Sequence, residues 1–257
     1  MKRFVIAALL GCGIFSLYAQ NAGVIVTTAR NRISIETIST RSRMVITAQD
    51  GSTSVRVLDQ YSKDDAEGNA RTVIVFQQPK NIAGSRFLTI DKTSGGSDRW
   101  IFLPALGKIR RIAASESGGS FMGTDFSYDD ISATDREVSL DDHTLLGEEI
   151  LNGVNCYKIQ SVPKDSKYQY SKMIHWIGKE DNLQYKSEMY DRRGVAVKTL
   201  EMTEYKEVQG RLTPMQTKIS TLAAGTSTTI HMDRIEYDNN IPEAVFGFRY
   251  LETGGIR

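Results

Sequence analysis

The sequence predicts a mainly β protein whose strands build an antiparallel sheet large enough to curl. Runs of β-branched and aromatic residues recur along the chain from residue 43 onward, with polar turns between them. Two of those turns, Asp50-Gly51 and Asn152-Gly153, are dipeptides that accept the left-handed backbone of a tight hairpin. Helix signals are few by comparison.

The first residues stand apart from that pattern. Lys2 and Arg3 precede an apolar stretch from Phe4 to Phe15, broken by Gly11, Cys12 and Gly13, and Ala19 and Gln20 follow. This is the layout of a secretory signal, with residues 1–19 as the signal peptide and 20–257 as one mature domain. Leu9-Leu10-Gly11-Cys12 offers a second reading, a lipobox that would leave a lipid on Cys12. The run before Cys12 is short for an apolar signal core, which favours cleavage after Ala19. No stretch approaches the roughly 20 apolar residues of a membrane-crossing helix.

The strands are expected in this order. Arg43 to Ala48 and Ser54 to Leu58 flank Asp50-Gly51, and Thr72 to Phe76 is a β-branched run closed by Pro79. Ser85 to Ile90 and Arg99 to Leu103 follow, joined through Thr93 to Ser97. Gly147 to Ile150 and Asn155 to Val162 flank Asn152-Gly153. Lys172 to Gly178, Gln184 to Tyr190, Val195 to Tyr205, Met215 to Leu222 and Thr226 to Tyr237 complete the set. Helix is expected only near the middle of Asn21 to Thr40, as one turn at Pro79 to Gly84, and at Ser127 to Ser132, where Asp129 and Asp130 fall in the first turn. Val24 to Thr28 is β-branched and weakens the first of these.

Composition narrows the function. With 40% hydrophobic and 25% charged residues, the chain of 257 can fold around a core and is not disordered. Its formal charge is +1, and signal removal takes two cations away, so nucleic acid is not an expected partner. Cys156 is the one cysteine of the mature chain, which excludes an internal disulfide, and its strand-like setting reads as a small buried apolar residue.

Several strands are apolar on both faces. Trp100 and Phe102 alternate with Ile101 and Leu103, and Ile174 and Trp176 alternate with Met173, His175 and Ile177. A sheet with one wet face would alternate apolar with polar residues. Something apolar must therefore cover the second face: packed helices, of which the sequence offers few, or an apolar ligand in a concave pocket.

The segments Arg99-Trp100-Ile101-Phe102-Leu103-Pro104-Ala105-Leu106-Gly107-Lys108-Ile109-Arg110-Arg111-Ile112 and Gly118-Gly119-Ser120-Phe121-Met122-Gly123-Thr124-Asp125-Phe126-Ser127-Tyr128-Asp129-Asp130-Ile131 resemble the signature of the LolA-like outer-membrane lipoprotein-sorting proteins. The likeness continues through Leu145 to Glu149, Tyr157, Ser161 to Lys164, His175-Trp176-Ile177, Tyr190-Asp191 and Phe246-Gly247-Phe248, nearly the whole mature chain. The resemblance implies a strongly curved antiparallel sheet, a half-open β-barrel, with short helices and loops as a lid. It also implies a periplasmic carrier of acyl chains or lipoproteins, with an inner-membrane transporter as partner and no cofactor.

On that reading Trp100, Phe102, Leu103, Ile174 and Trp176 line the sheet, and Phe121, Met122 and Phe126 sit in a glycine-flanked flap over the pocket. The alternative is that the three flap residues plug the core beneath a loop. Lys108, Arg110 and Arg111 are candidates for meeting lipid headgroups, a partner surface, or solvent alone.

Catalytic patterns are missing. Gly118-Gly119-Ser120-Phe121-Met122 has Met122 where a lipase nucleophile turn needs glycine. His143, His175 and His231 are far apart, with no second histidine at zinc-motif spacing. The rival functions are a lipoprotein-sensing module on the same fold, acting through Lys108, Arg110 and Arg111, and a lipid esterase using Ser120.

Overall fold

The computed structural model describes residues 12–32, 35–93, 96–132 and 136–256, with the backbone alone for 12–21 and 132. The first eleven residues of the expected signal peptide, and the side chain of Cys12, lie outside the described residues. The protein is mainly β and antiparallel, as the hairpin pattern predicts, and its strands are β1 (Thr37–Thr47), β2 (Thr53–Asp64), β3 (Ala70–Gln78), β4 (Arg86–Asp91), β5 (Ser97–Leu103), β6 (Lys108–Ile112), β7 (Asp141–Leu151), β8 (Val154–Pro163), β9 (Lys172–Gly178), β10 (Gln184–Tyr190), β11 (Ala196–Val208), β12 (Arg211–Thr221) and β13 (Thr226–Tyr237). The α-helices are α1 (Cys12–Asn31), α2 (Tyr128–Ser132) and α3 (Phe248–Thr253).

The chain divides into two compact units, Met1–Arg32 with Val138–Val195, and Ile33–Glu137 with Ala196–Arg257. No change of composition marks the junctions, because both units use the same alternating strands. Among the described residues no helix is long and apolar enough to cross a membrane.

In the larger unit the strand order is β6-β5-β4-β3-β2-β1-β13-β12-β11. Two bulges bend this sheet. Arg41 faces Arg234 while Ser42 faces Met232, which leaves Asp233 as an extra residue on β13. Val57 faces Gln78 while Leu58 faces Phe76, which leaves Gln77 extra on β3. β12 pairs with β13 only from Gln216 to Thr221. Pro214, lacking an N–H, lies just beyond that stretch, and the Gln209 side-chain amide binds Tyr237 instead. Gln209 Oε1 accepts from Tyr237 N at 2.7 Å and its Nε2 donates to Tyr237 O at 3.2 Å.

Alternation along β3, β4 and β5 gives this sheet two apolar faces, each covered by a different piece of chain. One face carries Val73, Val75, Leu88 and Phe102 and packs against Ile241, Val245, Phe246 and Leu251 of the C-terminal segment. Arg71 ties that segment down through its ion pair with Glu243 and lies 4.8 Å over the Phe246 ring. Arg86 donates to the carbonyls of Leu251 and Glu252 at 3.2 Å, a cation at the C-terminal end of α3. The opposite face carries Ile74, Phe76, Phe87 and Ile101 and lies under the segment between β6 and α2.

In the smaller unit the order is β10-β9-β8-β7. Ala22, Ile25 and Val26 of α1 pack on Ile159 and Ile177. The helix forms despite its β-branched run, because tertiary burial outweighs a weak propensity, but it ends at Asn31, and Thr37 to Thr40 of the stretch expected to hold helix belong to β1. The opposite face carries Cys156, Ile174 and Trp176 with Tyr185 and Tyr190 around them. The β7–β8 hairpin turns at Asn152 (φ 51°) and Gly153 (φ 85°), as its dipeptide predicts. Pro79 to Gly84 forms turns closed by Ile82 N and Ala83 N on Pro79 O, at 3.1 and 2.9 Å, and not a helix.

Candidate functional site

The candidate site is the face of the larger unit beneath residues 113–132. After β6 the chain makes a short 3-10 turn at Ala114–Glu116, then a small hairpin whose arms meet at Ser120 and Ser127. Its tip is closed by Thr124 N on Phe121 O at 3.0 Å and Phe121 N on Phe126 O at 2.7 Å. Met122 (φ 53°) and Gly123 (φ 75°) both take the left-handed region at that tip. Gly123 adopts it without penalty, and Met122 does so as an uncommon non-glycine residue.

Phe121 is the centre of the site. It is fully buried, 5.8 Å from the Phe76 ring, 5.2 Å from Phe87 and 5.7 Å from Tyr128, the last two edge-on. Edge-on pairs at such spacing add about 0.5–1.5 kcal/mol each beyond area burial. Phe126 is buried and Met122 half-buried.

Polar anchors hold this apolar hairpin on the sheet. Asp125, buried, accepts hydrogen bonds from the hydroxyls of Thr221 (2.7 Å), Thr226 and Thr228 (2.7 Å), and its own N–H donates to Thr228 Oγ1 at 3.0 Å. Lys198 Nζ donates to Asp125 O at 2.7 Å and to Asp130 Oδ2 at 2.8 Å. Arg99 Nη2 lies 2.9 Å from Asp129 Oδ1, with both side chains largely buried. Arg56 donates to Met122 O, and burial pushes its guanidinium pKa down. Ser127 and Asp130 cap α2 reciprocally, Ser127 N on Asp130 Oδ2 at 2.8 Å and Asp130 N on Ser127 Oγ at 3.0 Å.

The other sequence-predicted residues fall elsewhere. Trp100 and Phe102 are on the C-terminal-segment face, where Trp100 meets Phe248 edge-on at 5.1 Å, so one strand separates them from Phe121 and Phe126. Leu103, half-buried, has the parity of Ile101 and Arg99, the side that holds the hairpin. Ile174 and Trp176 belong to the smaller unit, on the face turned away from α1. There Lys158 Nζ and Lys186 Nζ lie over the Trp176 ring at 4.9 and 4.7 Å.

The basic trio also separates. Arg110 Nη1 binds Glu116 Oε1 at 2.8 Å, Arg111 binds Asp98, and Lys108 is exposed. Arg56 and Lys198 carry no signal in the sequence, and Arg99 and Asp125 stand in the signature segments without a role assigned to them. Their partners lie far along the chain, and no local spacing announces them.

Ser120 Oγ donates to Thr124 O at 2.6 Å, inside its own hairpin. His143 and His175 belong to the other unit, bonded to Ser161 Oγ (2.8 Å) and Ser187 Oγ (2.7 Å). Among the described residues no group of three or more His, Cys, Asp or Glu side chains could hold a metal ion. A recess of about 350 Å³ in the smaller unit, lined by Pro163, Asp165, Ser166, Tyr170, Ser171 and Arg192, contains none of the predicted acyl-binding residues.

A family model described as "Uncharacterized protein" matches residues 68–253. No curated protein matches the chain. Among solved structures, a DUF1329 family protein from Desulfovibrio piger is similar at 26% identity and a TM-score of 0.85, over 91% of this chain and 99% of that one. A putative outer membrane lipoprotein-sorting protein domain from Vibrio parahaemolyticus is similar at 24% identity and 0.85, with the same coverage. A LolA superfamily protein from Nitrosomonas europaea is similar at 18% identity and 0.71, over 89% of this chain and 98% of that one. The fold is therefore LolA-like, as the signature segments imply.

Proposed function

We infer that this chain, which belongs to the family described as uncharacterized protein through its match over residues 68–253, is a carrier that binds acyl chains of lipids or lipoproteins on its LolA-like sheet. It works without catalysis, in the periplasm, and passes its cargo between membranes. The observation that carries this reading is the Phe121 cluster. An aromatic side chain on a separately anchored hairpin fills the apolar face of a sheet whose fold is shared with a putative outer membrane lipoprotein-sorting protein domain.

In this arrangement the hairpin is the cover, and Phe121 and Phe126 hold the place of the hydrocarbon. Loading lifts the hairpin and exchanges these side chains for an acyl chain. Burial of a chain gains about 0.8 kcal/mol per CH₂, so sixteen carbons offer roughly 12 kcal/mol before ordering costs. That gain has to exceed the loss of the Phe121 contacts and of the polar anchors. Because the anchors are hydrogen bonds and ion pairs, they re-form when the chain leaves, which makes the cover reversible.

Native mass spectrometry of protein purified from its export compartment, with extraction of bound lipid, tests the reading. Masses offset by lipid species, and displacement of a fluorescent fatty-acid probe by palmitate, are the expected results. Protein that carries no lipid and binds no acyl probe overturns it.

A further inference from the structure

We propose that the outer end of the β5–β6 hairpin, together with α3, is a docking surface for an anionic lipid bilayer. Three observations converge on it. First, the turn 104–107 is exposed along its length, with Leu106 57% accessible at its tip. Second, Phe248 is 51% accessible although its ring is seated on Trp100 at 5.1 Å, so an aromatic side chain is held rigidly at the surface. Trp100 lies three residues from the end of β5, roughly 10 Å from the turn at the rise of a strand. Leu106 thus lies in the turn of the hairpin whose first strand carries Phe248 against Trp100.

Third, exposed cations stand close to these side chains along the chain or in the neighbouring turn. Lys108 opens β6, and Arg249 follows Phe248 on α3. Lys80 stands in the neighbouring turn, which touches this one: a side chain on Gly84 would come within 3.4 Å of Pro104 Cγ. Acidic groups nearby are Glu252, exposed, Glu116, paired with Arg110, and Asp98, already shared by Lys92 (2.6 Å) and Arg111. Arg110 is taken up by Glu116 at 2.8 Å, so the sequence cluster at 108–111 contributes mainly Lys108.

Apolar tips ringed by lysine and arginine are suited to the headgroup boundary, where the tips enter the acyl region and the cations meet phosphates. Tips of this kind enter only the headgroup boundary, so attachment through this end would be peripheral and reversible. The proposal does not depend on the acyl-carrier reading, and its test is separate.

The full chain is sedimented with vesicles of phosphatidylcholine alone and of phosphatidylcholine with 30% phosphatidylglycerol, at low and high salt. Binding to the anionic vesicles, weakened by salt, is expected. Each of Lys80→Glu, Lys108→Glu and Arg249→Glu should weaken it about fivefold or more, given about 1 kcal/mol per cation near such a surface. Lys167→Glu, an exposed reversal in the smaller unit, should not. Leu106→Ser with Phe248→Ser, both at accessible sites that leave the core intact, should abolish it. Equal binding to both vesicle types, or binding unchanged in the Leu106/Phe248 variant, overturns the proposal. Absence of binding to either vesicle also overturns it, and assigns the patch to a protein partner or a second copy.

Discussion

Replacing Asp125 by alanine tests the anchoring of the hairpin most directly. The carboxylate is buried and receives three threonine hydroxyls, one from the end of β12 and two from the start of β13. A hydrogen bond to a charged group is worth about 1.5–3 kcal/mol, so three taken independently would exceed 4.5 kcal/mol. They share one acceptor and are not additive. Removing the carboxylate also recovers the cost of burying its charge, several kcal/mol in a dry site. The hydroxyls of Thr221 and Thr226, at the strand ends, can turn to water, whereas Thr228 is fully buried and cannot. The balance is a loss of about 3 kcal/mol for Asp125→Ala and about half of that for Asp125→Asn, which keeps one acceptor. Urea unfolding followed by tryptophan fluorescence and by hydrogen exchange at residues 117–132 provides the assay. The expected result is early exchange of the hairpin and a lower midpoint. A double-mutant cycle with Thr228→Val should give a coupling above about 1 kcal/mol. A loss under 1 kcal/mol with unchanged exchange would refute the claim that this carboxylate holds the cover.

Three further predictions follow from the same contacts. Phe121→Ala should cost about 3–5 kcal/mol in urea unfolding yet keep or tighten binding of a fatty-acid probe, because the side chain removed competes with the acyl chain; lost binding in a folded variant would contradict the exchange. His175 is buried, and that burial, with the Arg30 guanidinium and His143 adding to it, holds its pKa down at about 3 against 6.5 in the unfolded chain. Between these values only the unfolded chain takes up the proton, so stability is full above pH 6.5 and falls toward pH 3, by at most about 1.4 kcal/mol per unit. Urea midpoints at pH 7.5 and 5 should differ less in His175→Gln than in the parent, and identical differences would be evidence against a neutral buried ring. Arg86→Ala removes the cation at the end of α3 and its packing 5.5 Å from the Phe102 ring, and should expose the C-terminal segment to limited proteolysis at least several-fold faster; unchanged cleavage would show that Arg71 and Glu243 hold the segment unaided.

The strands were legible because side-chain alternation and turn dipeptides are local signals. Lys172–Gly178, Gln184–Tyr190 and Thr226–Tyr237 form with the bounds read from sequence, and Asn152-Gly153 turns where its chemistry requires. The shortest strand, β6, was hidden within a run read only as basic, since five residues with three cations show no clear alternation. The apolar second face was legible too, as in Trp100 to Leu103, and so were the signature segments.

What covers each face was decided by tertiary structure alone. Alternation shows that Phe102 and Ile101 point apart, but it does not say that the C-terminal segment meets the first and the Phe121 hairpin the second. The same holds for Asp125, whose three threonines lie about a hundred residues away. A sequence determines which side chains must be buried or paired, because solvation is a property of each residue. Which partners satisfy them depends on where the chain returns, and that is settled only when the whole sheet is assembled.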